Sequence, residues 1–172
     1  MTGRALVTYG SKYGSTAGIA EAIGERMREL EIDNDVKPAA DVDRIDPYDV
    51  VVVGGGLYVG RWHGDAVQFV KRFEEGLLDR PMWLFSSGPT GGSAKAEAEM
   101  ARVLAEQPGP PANIAKAAKR IGIRGHRTFA GATTEGMGGM FARWIPKGDW
   151  RDFGAVRAWA TEIARAIPVA AP

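Results

Sequence analysis

The short apolar run Leu6-Val7-Thr8-Tyr9 gives way to Gly10-Ser11-Lys12-Tyr13-Gly14-Ser15-Thr16, and residues with helical spacing follow at once. No other stretch constrains the chain as strongly. A strand that ends in a loop of small and hydroxyl side chains, with a helix starting where the loop stops, opens a βα unit and builds a phosphate site. The N–H groups at a helix start carry partial positive charge. Glycines let the backbone approach a ligand, and hydroxyls donate to phosphate oxygens.

The alternation continues along the chain. Arg4–Tyr9 reads as a buried strand. Thr16–Leu30 reads as a helix with Ile19, Ala20, Ile23, Met27 and Leu30 at helical spacing, and Ser15 or Thr16 as its N-cap. Gly18 and Gly24 each weaken that helix by about 1 kcal/mol relative to Ala, which suggests close packing or close approach of a ligand. Asp33–Pro38 reads as a second strand and Asp46-Pro47 as a turn. Val50-Val51-Val52-Val53 is brief, β-branched and wholly apolar, as a central parallel strand should be, and it runs into Gly54-Gly55-Gly56.

Asp65–Glu75 reads as a helix with Gly76 at the C-cap position, and Met82–Ser86 as the next strand. Ser93–Glu106 reads as a helix, broken by Gln107-Pro108-Gly109-Pro110-Pro111. A shorter helix capped by Asn113 runs to Arg120, and His126–Gly131 reads as the last strand. The closing helix spans Asp149–Ile167, capped by Asp149 or Asp152, with Val156, Trp159, Ala160, Ile163 and Ile167 on its apolar face. Strands that alternate with helices lie parallel and are joined by right-handed crossovers. The expectation is an α/β fold in one domain, 1–172. It is a doubly wound five-stranded parallel sheet of order 2-1-3-4-5 with helices on both faces.

Composition narrows the chemistry by exclusion. There is no cysteine, so disulfides, thiol nucleophiles, Cys-ligated zinc and iron–sulfur clusters are ruled out. With only 2 histidines, no metal site is expected. The formal net charge of +1 is weak and dispersed, which argues against nucleic acid as a partner. No apolar run is long enough to span a bilayer. Met1-Thr2-Gly3-Arg4 leads straight into a strand without a signal-peptide core, so a cytoplasmic address is expected.

In a sheet of this order, the loops after strands 1, 3 and 4 are neighbours at the carboxyl edge, where ligands bind. Here those loops are Gly10–Thr16, Gly54–Gly64 and Ser87–Gly92, all rich in glycine or hydroxyls. Tyr13 sits in the first, Tyr58 and Trp62 in the second. A phosphate cradle flanked by aromatic residues suits a phosphorylated planar ligand, of which flavin mononucleotide (FMN) is the simplest. Other phosphate signatures fail. No Lys stands before Ser15-Thr16 as a nucleotide P-loop requires, and Gly54-x-Gly56 continues to Val59 rather than to a third Gly. A response-regulator receiver needs an acceptor Asp where this chain has Gly54.

The loop Ser11-Lys12-Tyr13-Gly14-Ser15-Thr16 resembles the FMN phosphate loop of the flavodoxin family. Val52-Val53-Gly54-Gly55-Gly56-Leu57-Tyr58-Val59-Gly60-Arg61-Trp62-His63 is similar to the second flavin loop of the branch that includes the menaquinone-dependent protoporphyrinogen oxidases, and Gly148-Asp149-Trp150 is similar to that branch too. The resemblance implies a flavodoxin-like fold holding FMN. The hydroxyls of Ser11, Ser15 and Thr16 would then donate to the phosphate, and the N–H groups of Lys12, Tyr13, Gly14, Ser15 and Thr16 would complete the cradle. Tyr58 and its neighbours Gly56, Leu57, Val59 and Gly60 would lie along the isoalloxazine. Ser87, Gly88, Pro89 and Gly91 would border its polar edge.

The flavin itself carries the redox chemistry, so no catalytic side chain is assigned. Trp62 is either a ring neighbour or core. His63 is expected to cap a helix or lie at the surface. Thr133–Lys147, with Met137, Met140, Phe141, Trp144 and Ile145, either folds back on the core or forms an apolar lip. Such a lip would meet a quinone, a membrane surface or a partner protein. Two functions remain open. One is an FMN oxidoreductase acting on a small organic or quinone acceptor. The other is an electron carrier docking on a protein redox partner. The apolar 133–147 segment, the near-neutral charge and the basic residues Lys12, Arg61 and His63 favour the first, because basic surroundings ease the build-up of negative charge on a reduced flavin, while the small size and the lack of an evident substrate-specific acid or base favour the second.

Overall fold

The computed structural model describes residues 3–58, 60–88, 102, 109–133 and 147–167. Strand β1 (Ala5–Gly10) leads into helix α1 (Ser15–Glu29), followed by β2 (Asn34–Pro38) and a single 3-10 turn at Ala39–Asp41. Strand β3 (Val50–Tyr58) turns back through a short β4 (Arg61–Trp62) into α2 (Gly64–Leu77) and β5 (Met82–Ser87). Helix α3 (Ala112–Ile121), β6 (Gly125–Phe129), β7 (Ala132–Thr133), β8 (Gly148–Asp149) and α4 (Phe153–Ala166) complete the described elements. The helix expected over 93–106 lies outside the described residues, apart from Arg102.

The main strands run parallel in the order β2-β1-β3-β5-β6, which is the doubly wound 2-1-3-4-5 arrangement; β4 pairs antiparallel with the end of β3. Val50–Val53 of β3 and Met82–Phe85 of β5 read as unbroken apolar runs because the central strands are covered on both faces. Alternate residues divide cleanly between two cores. Ala5, Val7, Val50, Val52, Trp83 and Phe85 pack against α1 and α4. Leu6, Val51, Val53, Met82 and Leu84 pack against α2 and α3. The expected face of the closing helix is buried, with Val156, Trp159, Ala160 and Ile163 all at 5% exposure or less.

Several element ends differ from expectation, each for a local reason. Gly54, Gly55 and Gly56 do not open a loop. They continue β3 and pair with Phe85, Ser86 and Ser87 of β5. A Cβ on Gly54 would run into the Phe85 ring, and one on Gly55 into the Trp62 indole, so these glycines make room for rings. Gly76 lies inside α2, with Leu78 at the C-cap instead, and a Cβ on Gly76 would meet Ile45 Cδ1 at 2.9 Å. Asn113 does not cap α3; its side chain is committed elsewhere, as described below, and Pro111 occupies the cap. Asp152 caps α4 by accepting from Ala155 N at 2.9 Å, while Asp149 lies in β8. Both helix α1 glycines answer to packing: Cβ atoms there would collide with Arg151 at Gly18 and with Val36 at Gly24.

Candidate functional site

The carboxyl ends of β1, β3 and β5 bring the expected loops together. Gly10 closes β1 beneath the first turn of α2, where a Cβ would lie 2.6 Å from Ala66 N. The loop then curls back on itself, with Ser11 Oγ accepting from Gly14 N at 3.0 Å. Gly14 stands at the N-cap of α1 with φ 85°, a left-handed conformation that costs glycine little. No side chain caps this helix, and no acidic residue occupies its first turn. This corrects the expectation of a Ser15 or Thr16 cap. The first intrahelical bond runs from Gly18 N to Gly14 O at 3.3 Å. The N–H groups of Ser15, Thr16 and Ala17 therefore precede the ladder and face outward. An uncapped helix start with open space over Gly14 is the arrangement an anion fills.

The hydroxyls of this loop have different partners. Ser15 is buried, and its Oγ accepts from Ala132 N at 2.8 Å and lies 3.3 Å from Ser87 Oγ. That hydroxyl ties the first loop to the ends of β5 and β7. Thr16 is also buried, with its Oγ1 turned toward Gly56. Lys12 is exposed, and its ammonium lies 5.2 Å from the centre of the Tyr13 ring.

The second loop is a β-hairpin. Leu57 pairs with Trp62 and Tyr58 with Arg61, and Gly60 makes the turn at φ 72°. Val59 lies outside the described residues. Tyr58 leans toward the first loop: its hydroxyl accepts from Lys12 N at 3.0 Å, and its ring lies 6.3 Å from Tyr13 and 5.9 Å from His63. Trp62 is core, 4% exposed, donating from Nε1 to Ser86 Oγ at 2.8 Å. His63 caps α2, with Nδ1 accepting from Asp65 N. Of the third loop, Ser87 and Gly88 border the site, Gly88 N donating to Phe129 O at 3.0 Å. Pro89 and Gly91 lie outside the described residues.

Three supporting residues were not apparent from the sequence. Asn113, reaching from α3, accepts from Trp62 N and donates to Trp62 O, both at 3.2 Å, and so clamps the hairpin. His126 Nε2 lies 2.9 Å from Ser86 Oγ, extending the chain that begins at the Trp62 indole. Burial pushes the His126 imidazole down to about 4, so the ring is neutral. Arg151 lies against the start of α1 with Nη1 3.3 Å from Ser15 O, held by the Asp149 carboxylate. That hydrogen-bonded pairing holds Asp149 below the usual carboxylate range and raises Arg151. The only sequence trace of this contact is Gly18, whose missing side chain admits the guanidinium.

A separate cavity of ≈ 500 Å³ lies between the 43–46 loop, α2 and Arg120 of α3. It mixes cations with carboxylates, and no described residue of the three loops borders it.

A doubly wound parallel sheet with an uncapped helix start after β1 and an aromatic hairpin after β3 defines an α/β domain of the class that binds ligands at the carboxyl edge of its sheet. Residues 6–143 match the flavodoxin domain, and the chain belongs to that family, whose cofactor is FMN. Solved structures agree on the fold. A point mutant of the flavodoxin from Pseudomonas aeruginosa is 12% identical with a TM-score of 0.64, the match covering 95% of this chain and 98% of that one. The flavodoxin of Streptococcus pneumoniae TIGR4 is 18% identical with a TM-score of 0.59, over 95% and 99% of the two chains. Rubredoxin oxygen:oxidoreductase from Desulfovibrio gigas is 16% identical with a TM-score of 0.60, and 95% of this chain corresponds to 35% of that larger protein. No described helix is long and apolar enough to cross a membrane.

Proposed function

We propose that this flavodoxin-family chain is an FMN-dependent oxidoreductase that exchanges electrons with a small organic or quinone acceptor, in the manner of the branch containing the menaquinone-dependent protoporphyrinogen oxidases. The observation that carries this reading is the charge around the site. Lys12 on the first loop and Arg61 on the hairpin are both exposed cations. Positive charge near a flavin favours its reduced, more negative form and raises its potential. A strongly reducing carrier needs the opposite surroundings. FMN supplies the redox chemistry when bound. The protein supplies the anion-binding helix start, the aromatic hairpin and the Ser15–Ser87 tie that keeps two of the loops in register.

The expected result is a yellow protein whose FMN is reoxidised by menadione much faster than by cytochrome c. Rapid cytochrome c reduction with negligible quinone turnover would instead establish an electron carrier docking on a protein partner.

A further inference from the structure

We infer that Arg151 is a positioning residue of the anion site at the start of α1 and makes that site selective for the phosphorylated flavin: its guanidinium holds and polarises the Ser15–Thr16 peptide, and Asp149 limits how much of its charge a bound phosphate feels. The inference rests on the FMN reading above and not on the identity of the acceptor.

Arg151 arrives from the far end of the chain. Its segment is fixed by the β7–β8 pairing and by Trp150 N, which donates to Gly131 O at 3.2 Å. Asp149 grips the Nε–Nη2 edge of the guanidinium, with Nε 2.8 Å from Oδ1 and Nη2 on Oδ2. Phe153 lies against the same group, its ring centre 5.0 Å from Cζ. The remaining edge is thereby turned onto the first turn of α1, where Nη1 donates to Ser15 O at 3.3 Å. Gly18 leaves the room for it, since a Cβ there would collide with Nη1. The Arg151 side chain is only 18% exposed, so solvent and salt screen it incompletely.

A cation at this end of a helix is misplaced by the usual rule. The first N–H groups already carry partial positive charge, and basic side chains belong at the carboxyl end. No acidic residue in the first turn of α1 and no side-chain cap offsets this. The Asp149 carboxylate is engaged by the guanidinium, and the positive potential of the helix start is left for a ligand. The contact also acts through bonds. The Ser15 C=O and the Thr16 N–H are the two ends of one peptide unit. A guanidinium donating to that oxygen polarises the unit and strengthens the N–H as a donor. That N–H is one of those that precede the helical ladder. An anion seated there meets a better donor and a nearby cation, while an uncharged flavin tail gains little from either.

FMN and riboflavin differ only in the phosphate, so comparing them isolates the effect. Apoprotein is titrated with each, following quenching of flavin fluorescence, at about 0.02 M and about 0.5 M salt. Arg151→Gln removes the charge and should lower FMN affinity about fivefold at low salt, with riboflavin affinity unchanged within about twofold. Asp149→Asn keeps Oδ1 as an acceptor for Arg151 and uncovers the charge. It should raise FMN affinity about threefold at low salt, a gain that disappears at high salt. The opposite signs decide the matter, because a pair that merely braced the loop would lose affinity whichever member was changed. If riboflavin binds too feebly to measure, inorganic phosphate competing against FMN reads the same two factors. Weaker FMN binding in both variants, equal losses for the two flavins, or FMN affinities unaltered by either substitution would overturn the inference while leaving the FMN reading intact. A wild-type protein that takes up neither flavin would overturn that reading, and this inference with it.

Discussion

Glycine carries opposite meanings at two positions of this site, and the difference is measurable. Gly14 is required by its backbone: at φ 85° any other residue is strained, yet nothing lies within 4 Å of where a Cβ would be. Gly55 has ordinary strand geometry, and its requirement is spatial, because a Cβ there would enter the Trp62 indole. Gly14→Ala should therefore cost about 1 kcal/mol of stability, the ordinary cost of a left-handed L-residue. Gly55→Val forces the indole off Ser86 and should cost about 3 kcal/mol, the upper range for overpacking a core. Urea denaturation of both variants tests the distinction; similar losses would mean that the β3 glycines are not packing residues. The same contrast explains a misreading. Three consecutive glycines after Val53 look like a flexible loop in the sequence, and only the rings of Phe85 and Trp62 show why they belong to a strand.

Among the secondary-structure elements, the parallel strands were plain in the sequence because burial on both faces leaves no polar alternation to confuse the reading, as in Val50–Val53. The element ends were less plain. Ser15 and Thr16 look like helix caps, but the Ser15 hydroxyl is drawn away by Ala132, more than a hundred residues along the chain. Asn113 looks like a cap for the same compositional reason and is likewise diverted, to both backbone groups of Trp62. A single sequence gives local preference and not the distant partner that overrides it. The Asn113 clamp makes the β3–β4 hairpin depend on α3. Asn113→Ala leaves the Trp62 N–H and C=O without these partners and should cost about 2 kcal/mol. Because the damage is confined to the hairpin, amide exchange at Trp62 should accelerate more than exchange in the centre of β1. Uniform acceleration across the sheet would show that Asn113 acts on global stability and holds no particular loop.

For the molecule as a whole, the phosphate loop and its two companions were legible because the doubly wound topology dictates which loops meet. The supports behind them were not, since Ser86, His126 and Trp62 come from distant strands and share no motif. That chain of hydrogen bonds also gives the fold a pH dependence. His126 is neutral in the folded protein because burial lowers its imidazole from an ordinary 6.5 to about 4, and no charged neighbour contributes. In the unfolded chain the ring takes up a proton near its ordinary value. Above that value neither state binds the proton and stability is unaffected. As pH falls from about 6.5 to about 4, the unfolded state binds more protons and is favoured; below about 4 both states are protonated and the loss stops growing. The full shift would be worth more, but the ring is partly exposed, and a loss of about 2 kcal/mol is expected once solvent screening is allowed for. His126→Gln keeps a hydrogen-bonding group facing Ser86 and removes the titration. Urea denaturation at about pH 7 and about pH 4.5 should show wild type losing about 2 kcal/mol more than this variant on acidification. Parallel losses in the two proteins would mean that the folded protein takes up the His126 proton as readily as the unfolded chain, so that burial does not exclude the charged ring.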